Sequence, residues 1–300
     1  MTVEYRLAVV EKDGARIAVV EQGGRLLPLS ALGEVDLDDL GPVIADWARW
    51  TALLTERVAG AASLFASDGF EAVGATYRPP LAAPGKVVCI GANYHDHVAE
   101  MPIPVVPTYP FSFLKPAATT LRGSGEAVEA PAAVEMFDWE AELAVVIGTR
   151  ARNVAAADAL GIVAAYANFN DLSARDWLAS RPGIGVDWVR HKCWDGFAPM
   201  GPFLVPAAQV ADPQDLPVRL SVNGVVKQQS STAQMIYGVA AIIEHLSEIM
   251  TLEPGDVIAT GTPAGVGHGR KPPEYLKAGD EVRIEIGGLG ELVTPIIAPA

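Results

Sequence analysis

The stretch Phe137-Asp138-Trp139-Glu140-Ala141-Glu142-Leu143-Ala144-Val145-Val146-Ile147-Gly148 opens on acids and closes as an apolar, β-branched run ended by glycine. That pattern predicts a strand running into a core, with two carboxylates at its mouth. Side chains two apart on a strand share a face, so Glu140 and Glu142 converge. Like charges that close are costly unless a cation, a proton or a basic side chain compensates them. Two readings follow from this stretch alone: an exposed acidic strand edge, or a site for a hard cation. Asp171, in Asn168-Phe169-Asn170-Asp171-Leu172-Ser173-Ala174-Arg175-Asp176, offers a third carboxylate. Three such groups suit Mg²⁺ or another oxygen-preferring divalent ion and leave about three octahedral positions for waters or a chelating substrate.

Composition bounds the rest. A chain of 300 residues can hold one large domain or two smaller ones, and a half-hydrophobic composition excludes general disorder. The formal charge of −14 argues against nucleic-acid or anionic-membrane partners, because both need a basic surface. No window approaches the roughly 18 apolar residues of a membrane span, and Met1-Thr2-Val3-Glu4-Tyr5-Arg6 lacks the basic and apolar regions of a signal peptide, so a cytoplasmic location is expected. Cys89 and Cys193 lack C-x-x-C spacing and sit in apolar surroundings, which favours buried free thiols over a disulfide or a nucleophile.

On the N-terminal side, residues 3–28 read as a hairpin turning at Asp13-Gly14, and residues 42–66 carry helical spacing. Residues 77–85 are proline-rich, which divides the chain into a small N-terminal domain (1–76), a linker (77–86) and a larger domain (87–300). A short apolar strand at 87–90 runs into Gly91-Ala92-Asn93-Tyr94-His95-Asp96-His97-Val98-Ala99-Glu100. His97 and Glu100 fall three apart, neighbours on a helical turn. A carboxylate beside an imidazole orients it and raises its basicity, as a water-activating base requires; a surface ion pair is the alternative. Residues 102–110 are too proline-dense for regular structure and read as a covering loop or an ordinary surface loop, and 111–116 as a strand.

On the C-terminal side, residues 155–166 are alanine-rich and read as a helix, and 181–188 as a loop. Lys192 stands among Cys193, Trp194 and Phe197, where an ammonium must face an anion or snorkel to solvent. Asn223-Gly224 turns a hairpin, and Thr232 is expected to cap an amphipathic helix reaching Met250. The loop Gly261-Thr262-Pro263-Ala264-Gly265-Val266-Gly267 lacks the lysine and spacing of a phosphate-binding loop, although its amides and the Thr262 hydroxyl suit a carboxylate. Val282, Ile284, Ile286 and Gly287-Gly288 close the chain with a hairpin. Strands dominate beyond residue 87, so the expected fold is α+β, β-rich, a roll or barrel.

Taken together, Gly91-Ala92-Asn93-Tyr94 with His97 and Glu100, Glu140-Ala141-Glu142, Asn170-Asp171-Leu172-Ser173-Ala174-Arg175-Asp176 and Lys192 before Pro199-Met200-Gly201-Pro202 resemble the fumarylacetoacetate hydrolase family. So do Val222-Asn223-Gly224, Ser231-Thr232 with Met235, and Leu252-Glu253-Pro254-Gly255-Asp256 running through Thr260-Gly261-Thr262-Pro263, over about residues 85–296 in all. The resemblance implies a mixed β-roll or β-barrel catalytic domain behind a small N-terminal α+β domain, in a cytoplasmic homodimer holding Mg²⁺ or Mn²⁺. It implies Glu140, Glu142 and Asp171 as metal ligands, His97 with Glu100 as the water-activating pair, and Lys192 as a cation facing the substrate. Tyr94, Arg175, Gly261 and Thr262 would contact the substrate, with the proline loop as part of a lid. The implied activity is cleavage of a C–C bond in an acylpyruvate resembling fumarylacetoacetate or fumarylpyruvate, an acylpyruvase step of aromatic catabolism. Relatives instead decarboxylate oxaloacetate, isomerise or hydrate dienoates, or dehydrate sugar acids on the same metal site. The chain departs from the pattern at Leu178, where many relatives carry glutamine, and at Trp194-Asp195-Gly196, where threonine often follows the aspartate. Both departures are expected near the substrate pocket.

Overall fold

The computed structural model describes residues 4–180 and 183–299; the first residue of the expected N-terminal hairpin, Met1 to Val3 of the leader reading and the start of the 181–188 loop lie outside them. The architecture is α+β and sheet-rich. Its largest sheet, of twelve strands, runs in the order Phe70–Glu71, Arg25–Pro28, Ala15–Gln22, Arg6–Lys12, Ala198–Pro206, Val163–Asn170, Ala141–Ile147, Val257–Ala259, Val87–Gly91 and Phe111–Lys115, with two further strands attached off this path. A second sheet orders Val225–Ser231, Pro217–Val222, Glu281–Ile286, Glu291–Ile297 and Val128–Glu129.

The acidic stretch becomes an interior strand of the large sheet. Ala141–Ile147 is buried throughout, antiparallel both to Val163–Asn170 and to Val257–Ala259. Its apolar run has no polar alternation because both faces are covered. Ala141, Leu143, Val145 and Ile147 enter one hydrophobic core, while Ala144 and Val146 enter the other. Glu140 and Glu142 share the parity of the second set, so the pleat aims both toward that face at its open end. The exposed-edge reading therefore falls.

The N-terminal hairpin forms as the sequence implies, with Asp13 and Gly14 at positive φ in its turn. Arg6–Lys12 lies beside Ala198–Pro206 through Leu7 opposite Leu204, and Thr76–Arg78 pairs with the same N-terminal strand. Both cores include residues from the N-terminal strands as well as from the later ones. The helical spacing at 42–66 resolves into Gly41–Ala45, Trp47–Ala59 and Ala62–Ser67.

Three expectations need correction. Helix in the alanine-rich segment is confined to Ala156–Ala159 and the 3₁₀ turn Leu160–Ile162; Val163–Asn170 is a fully buried strand. Its alanines meet the need for small side chains in a strand packed on both faces, which overrides their helical preference. The second helix starts at Val239, not at Thr232. Residues Thr232–Gln234 make a 3₁₀ turn capped by Ser231, the Thr232 hydroxyl accepts from the Leu216 amide, and Ile236 and Tyr237 donate their amides to Asn93. These tertiary bonds hold 235–238 in place of a helical first turn. Finally, Cys89 is a buried free thiol, whereas Cys193, also free, is only half-buried.

Candidate metal centre and active site

Two neighbouring strands bring the carboxylates together. Glu140 and Glu142 stand at the mouth of the interior strand, and Asp171 follows the end of its neighbour, its amide donating to the Glu140 carbonyl at 2.9 Å. One oxygen from each of Glu140, Glu142 and Asp171 lies within 4.8 Å of the others, and all three residues are buried. This group could hold a metal ion.

The surrounding charges are not shared evenly. Arg175 pairs with Glu140 and, at 2.9 Å, with Asp138. Lys192 bridges Glu140 at 2.7 Å and Asp171 at 2.6 Å, and Lys115 pairs with Asp171. Among the described residues Glu142 has no ion pair and takes only the Gly261 amide, at 2.8 Å. Burial, then Asp171 and Glu140 close by, push the Glu142 carboxyl well above the ordinary carboxylate range. Burial also acts to raise Glu140, but Lys192 and Arg175 outweigh it and hold that group well below the range. For Lys192 burial acts downward, and Asp171 with Glu140 hold it above an ordinary lysine. Four buried carboxylates, Asp138 included, thus face three cations. A divalent ion at Glu142 fits that balance, since hard oxygen ligands and an uncompensated buried carboxylate are what such a cation serves.

The side chains of His97 and Glu100 meet. His97 and Glu100 belong to the short helix His95–Glu100, and the imidazole Nδ1 lies 2.7 Å from the Glu100 carboxylate. That bond leaves Nε2 free for another partner. His97 lines a cavity of about 190 Å³ together with Glu140, Glu142, Asp171, Lys192 and Thr262.

The glycine-rich loop does something the sequence reading did not foresee. Its backbone amides serve protein carboxylates: Gly261 donates to Glu142 at 2.8 Å, Gly265 to Glu100 at 2.9 Å, and Gly267 and His268 to Asp138 at 2.6 and 3.1 Å. Gly265 must be glycine, because its φ is +101° and a Cβ there would lie 2.2 Å from the Lys227 carbonyl oxygen. The candidate metal-binding carboxylates, the His97–Glu100 pair and the Asp138–Arg175 pair are therefore anchored by one segment.

Of the residues expected to touch substrate, Thr262 and Arg175 line the cavity. The Gly261 amide is given to Glu142, the Arg175 guanidinium is engaged by Asp138 and Glu140, and Tyr94 is wholly buried, with no partner for its hydroxyl among the described residues. Leu178 lines the cavity as expected, whereas Trp194 and Asp195 line a different one, beside Arg122 and Cys193. The sequence reading missed Asp138, Lys115 and Gln228. Asp138 extends the two-residue alternation of Glu140 and Glu142 and was legible on that ground. Lys115, at the end of an apolar strand, and Gln228, in a hairpin, carry no local signal.

Known proteins resemble this chain in sequence and in fold. Residues 86–297 match the model of the fumarylacetoacetate hydrolase C-terminal domain. Over 222 residues the chain is 45% identical to human mitochondrial oxaloacetate tautomerase FAHD2B, covering 74% of this chain and 69% of that protein. Among solved structures, fumarylacetoacetate hydrolase from Exiguobacterium antarcticum superposes with a TM-score of 0.82 at 34% identity, over 98% of this chain and 100% of that one. Maleylpyruvate hydrolase from Sphingobium sp. SYK-6, in complex with manganese (II) ion and pyruvate, gives 0.79 at 28% identity, over 98% and 100%. With a family model spanning most of its length and a relative so similar, the chain belongs to the fumarylacetoacetate hydrolase family.

Proposed function

We propose that the protein is a divalent-metal-dependent hydrolase that cleaves a C–C bond in an acylpyruvate whose acyl group is apolar. The observation that carries this reading is His97, which lines the same cavity as the three carboxylates while its Nδ1 lies 2.7 Å from Glu100 behind it. Glu140, Glu142 and Asp171 would hold the ion. When bound, Mg²⁺ or Mn²⁺ supplies Lewis-acid stabilisation of negative charge on adjacent keto and carboxylate oxygens. Glu100 fixes the imidazole with Nδ1–H toward itself, so Nε2 accepts a proton from water. Hydroxide adds to the distal carbonyl carbon; the bond from that carbon to the methylene breaks, giving a carboxylic acid and pyruvate as its enolate. Lys192, at the cavity wall, offsets the developing negative charge.

The wall supports an apolar acyl group. Ile90, Met101, Phe111, Phe113, Leu178 and Trp188 line the cavity, with Trp188 stacked on Phe113 at 5.0 Å between ring centroids. Arg175 is already engaged by Asp138 and Glu140, so a second substrate carboxylate against this apolar wall would be desolvated without a partner.

A second reading, keto–enol tautomerisation of oxaloacetate, is favoured by the identity to the human tautomerase. It needs proton transfer by the same imidazole but no attacking water. Turnover in ¹⁸O-labelled water separates the two: hydrolysis places solvent oxygen in the released carboxylic acid. Enolisation without any released acid would overturn the hydrolase reading.

A further inference from the structure

Gln228 is a wholly buried amide whose hydrogen bonds fix its orientation. Its Oε1 accepts from the Ala141 amide at 2.9 Å, and its Nε2 donates to the Thr262 hydroxyl and to the Pro263 carbonyl, each at 2.8 Å. The reverse orientation would set an oxygen against the Pro263 carbonyl and an NH₂ against the Ala141 N–H, so only one placement of the amide is possible. Both amide hydrogens are thereby assigned. Thr262 Oγ1 must act as acceptor toward Gln228, and its own hydrogen is left over. Among the described residues no protein acceptor takes that hydrogen, and Thr262 lines the cavity.

We infer that Gln228 is a positioning residue: it forces Thr262 to present its O–H as a donor to an anionic oxygen of the substrate. This inference rests on the 2-oxo acid reading above, and names the residue that sets the polarity of that contact. Ala141, which holds the other end of the amide, lies between Glu140 and Glu142. Gln228 therefore fixes the donor at a set distance from the carboxylate group, on the strand that carries it. A carboxylate oxygen seated between the two would meet a cation site on one side and a fixed hydroxyl donor on the other.

The test is binding, by calorimetry, of oxalate and of pyruvate to the full chain in Mg²⁺ and in Mn²⁺. A donor to a charged oxygen contributes enough that Thr262→Val should weaken binding about tenfold to a hundredfold, while Thr262→Ser retains it. Gln228→Glu offers acceptors only, so the Thr262 hydrogen turns to the new carboxylate and away from the ligand. Its loss should match that of Thr262→Val, and the double variant should lose no more than either alone. Where substrate is turned over, the effect should fall on KM with kcat little changed. Full oxalate affinity in Thr262→Val, or a Gln228→Glu loss that adds to it, overturns the inference. If Gln228→Glu does not fold, equal losses in Thr262→Val and Thr262→Ser overturn it. Oxalate and pyruvate that fail to bind the unaltered protein overturn this inference and the 2-oxo acid reading together, whereas unchanged binding in the variants overturns this one alone.

Discussion

Glu142 is the side chain a cation would serve most. It is buried between Asp171 and Glu140, has no ion pair among the described residues, and is held above the usual carboxylate range by burial and those two neighbours. Removing its charge should have opposite effects on two observables. Glu142→Gln keeps the shape and relieves the crowding, so the metal-free protein should melt a few degrees higher, on the order of 1 kcal/mol more stable. Its affinity for Mn²⁺ should fall at least about 100-fold, since losing a ligand exceeds the usual cost of losing an outer partner. Equilibrium dialysis with a melting curve checks both, and undiminished Mn²⁺ affinity would remove Glu142 from the site. His97 should behave differently. His97→Ala should lose about 10² to 10⁴ in turnover while keeping its metal. Loss of the metal would show that the imidazole is a ligand instead. The residues that sequence reading found here are those whose chemistry is local: acids two apart on a strand, and an imidazole and a carboxylate three apart on a helix. Gln228, Lys115 and the engagement of Arg175 by Asp138 depend on partners more than 30 residues away, and nothing in their own neighbourhood announces them.

At the scale of elements, the loop from Gly261 to His268 is the piece that joins the parts of the site. Its amides hold Glu142, Glu100 and Asp138 at once. Gly265→Ala would add a Cβ 2.2 Å from a backbone oxygen at a φ that L side chains rarely adopt, so the loop must shift. The expected outcome is a joint loss of turnover and Mn²⁺ affinity in a protein that keeps its far-ultraviolet circular dichroism. A variant with turnover and Mn²⁺ affinity both intact would show that the loop does not anchor the site. The glycine-rich stretch was legible as a loop whose amides suit a carboxylate, but the sequence pattern does not say that those carboxylates are the protein's own. The same limit explains the two misjudged helices. Alanine and spaced aliphatics favour helix locally, while the strand at Val163–Asn170 and the irregular 235–238 segment are imposed by neighbours distant in sequence.

For the whole molecule, strand existence was largely legible and strand order was not. Val257–Ala259 sits between Ala141–Ile147 and Val87–Gly91, an arrangement that needs the assembled sheet to be seen. Assembly also buries His191, whose Nδ1 lies 2.9 Å from the Ala174 carbonyl. Burial first, then Lys192 and Arg175, depress its pKa from 6.5 to about 3. The unfolded chain therefore binds a proton below pH 6.5 that the folded protein refuses, so stability falls as pH drops from about 6.5 toward 3. Linkage puts the loss from this one group at about 2 kcal/mol at pH 5. His191→Asn, which can still donate to Ala174, should flatten the fall in urea denaturation between pH 7 and 5. An unchanged slope would assign the acid sensitivity to other groups.

The central claim is that the carboxylate group and the His97–Glu100 pair form one metal-dependent hydrolytic site for an acylpyruvate. Its most direct test is pyruvate release from acylpyruvates of graded chain length, with oxaloacetate alongside, using protein stripped by chelator and resupplied with Mg²⁺ or Mn²⁺. The account predicts no release from the stripped protein and restored cleavage with either ion, with apolar acyl groups turned over well above oxaloacetate. Turnover of oxaloacetate alone, or cleavage that persists without metal, would contradict it.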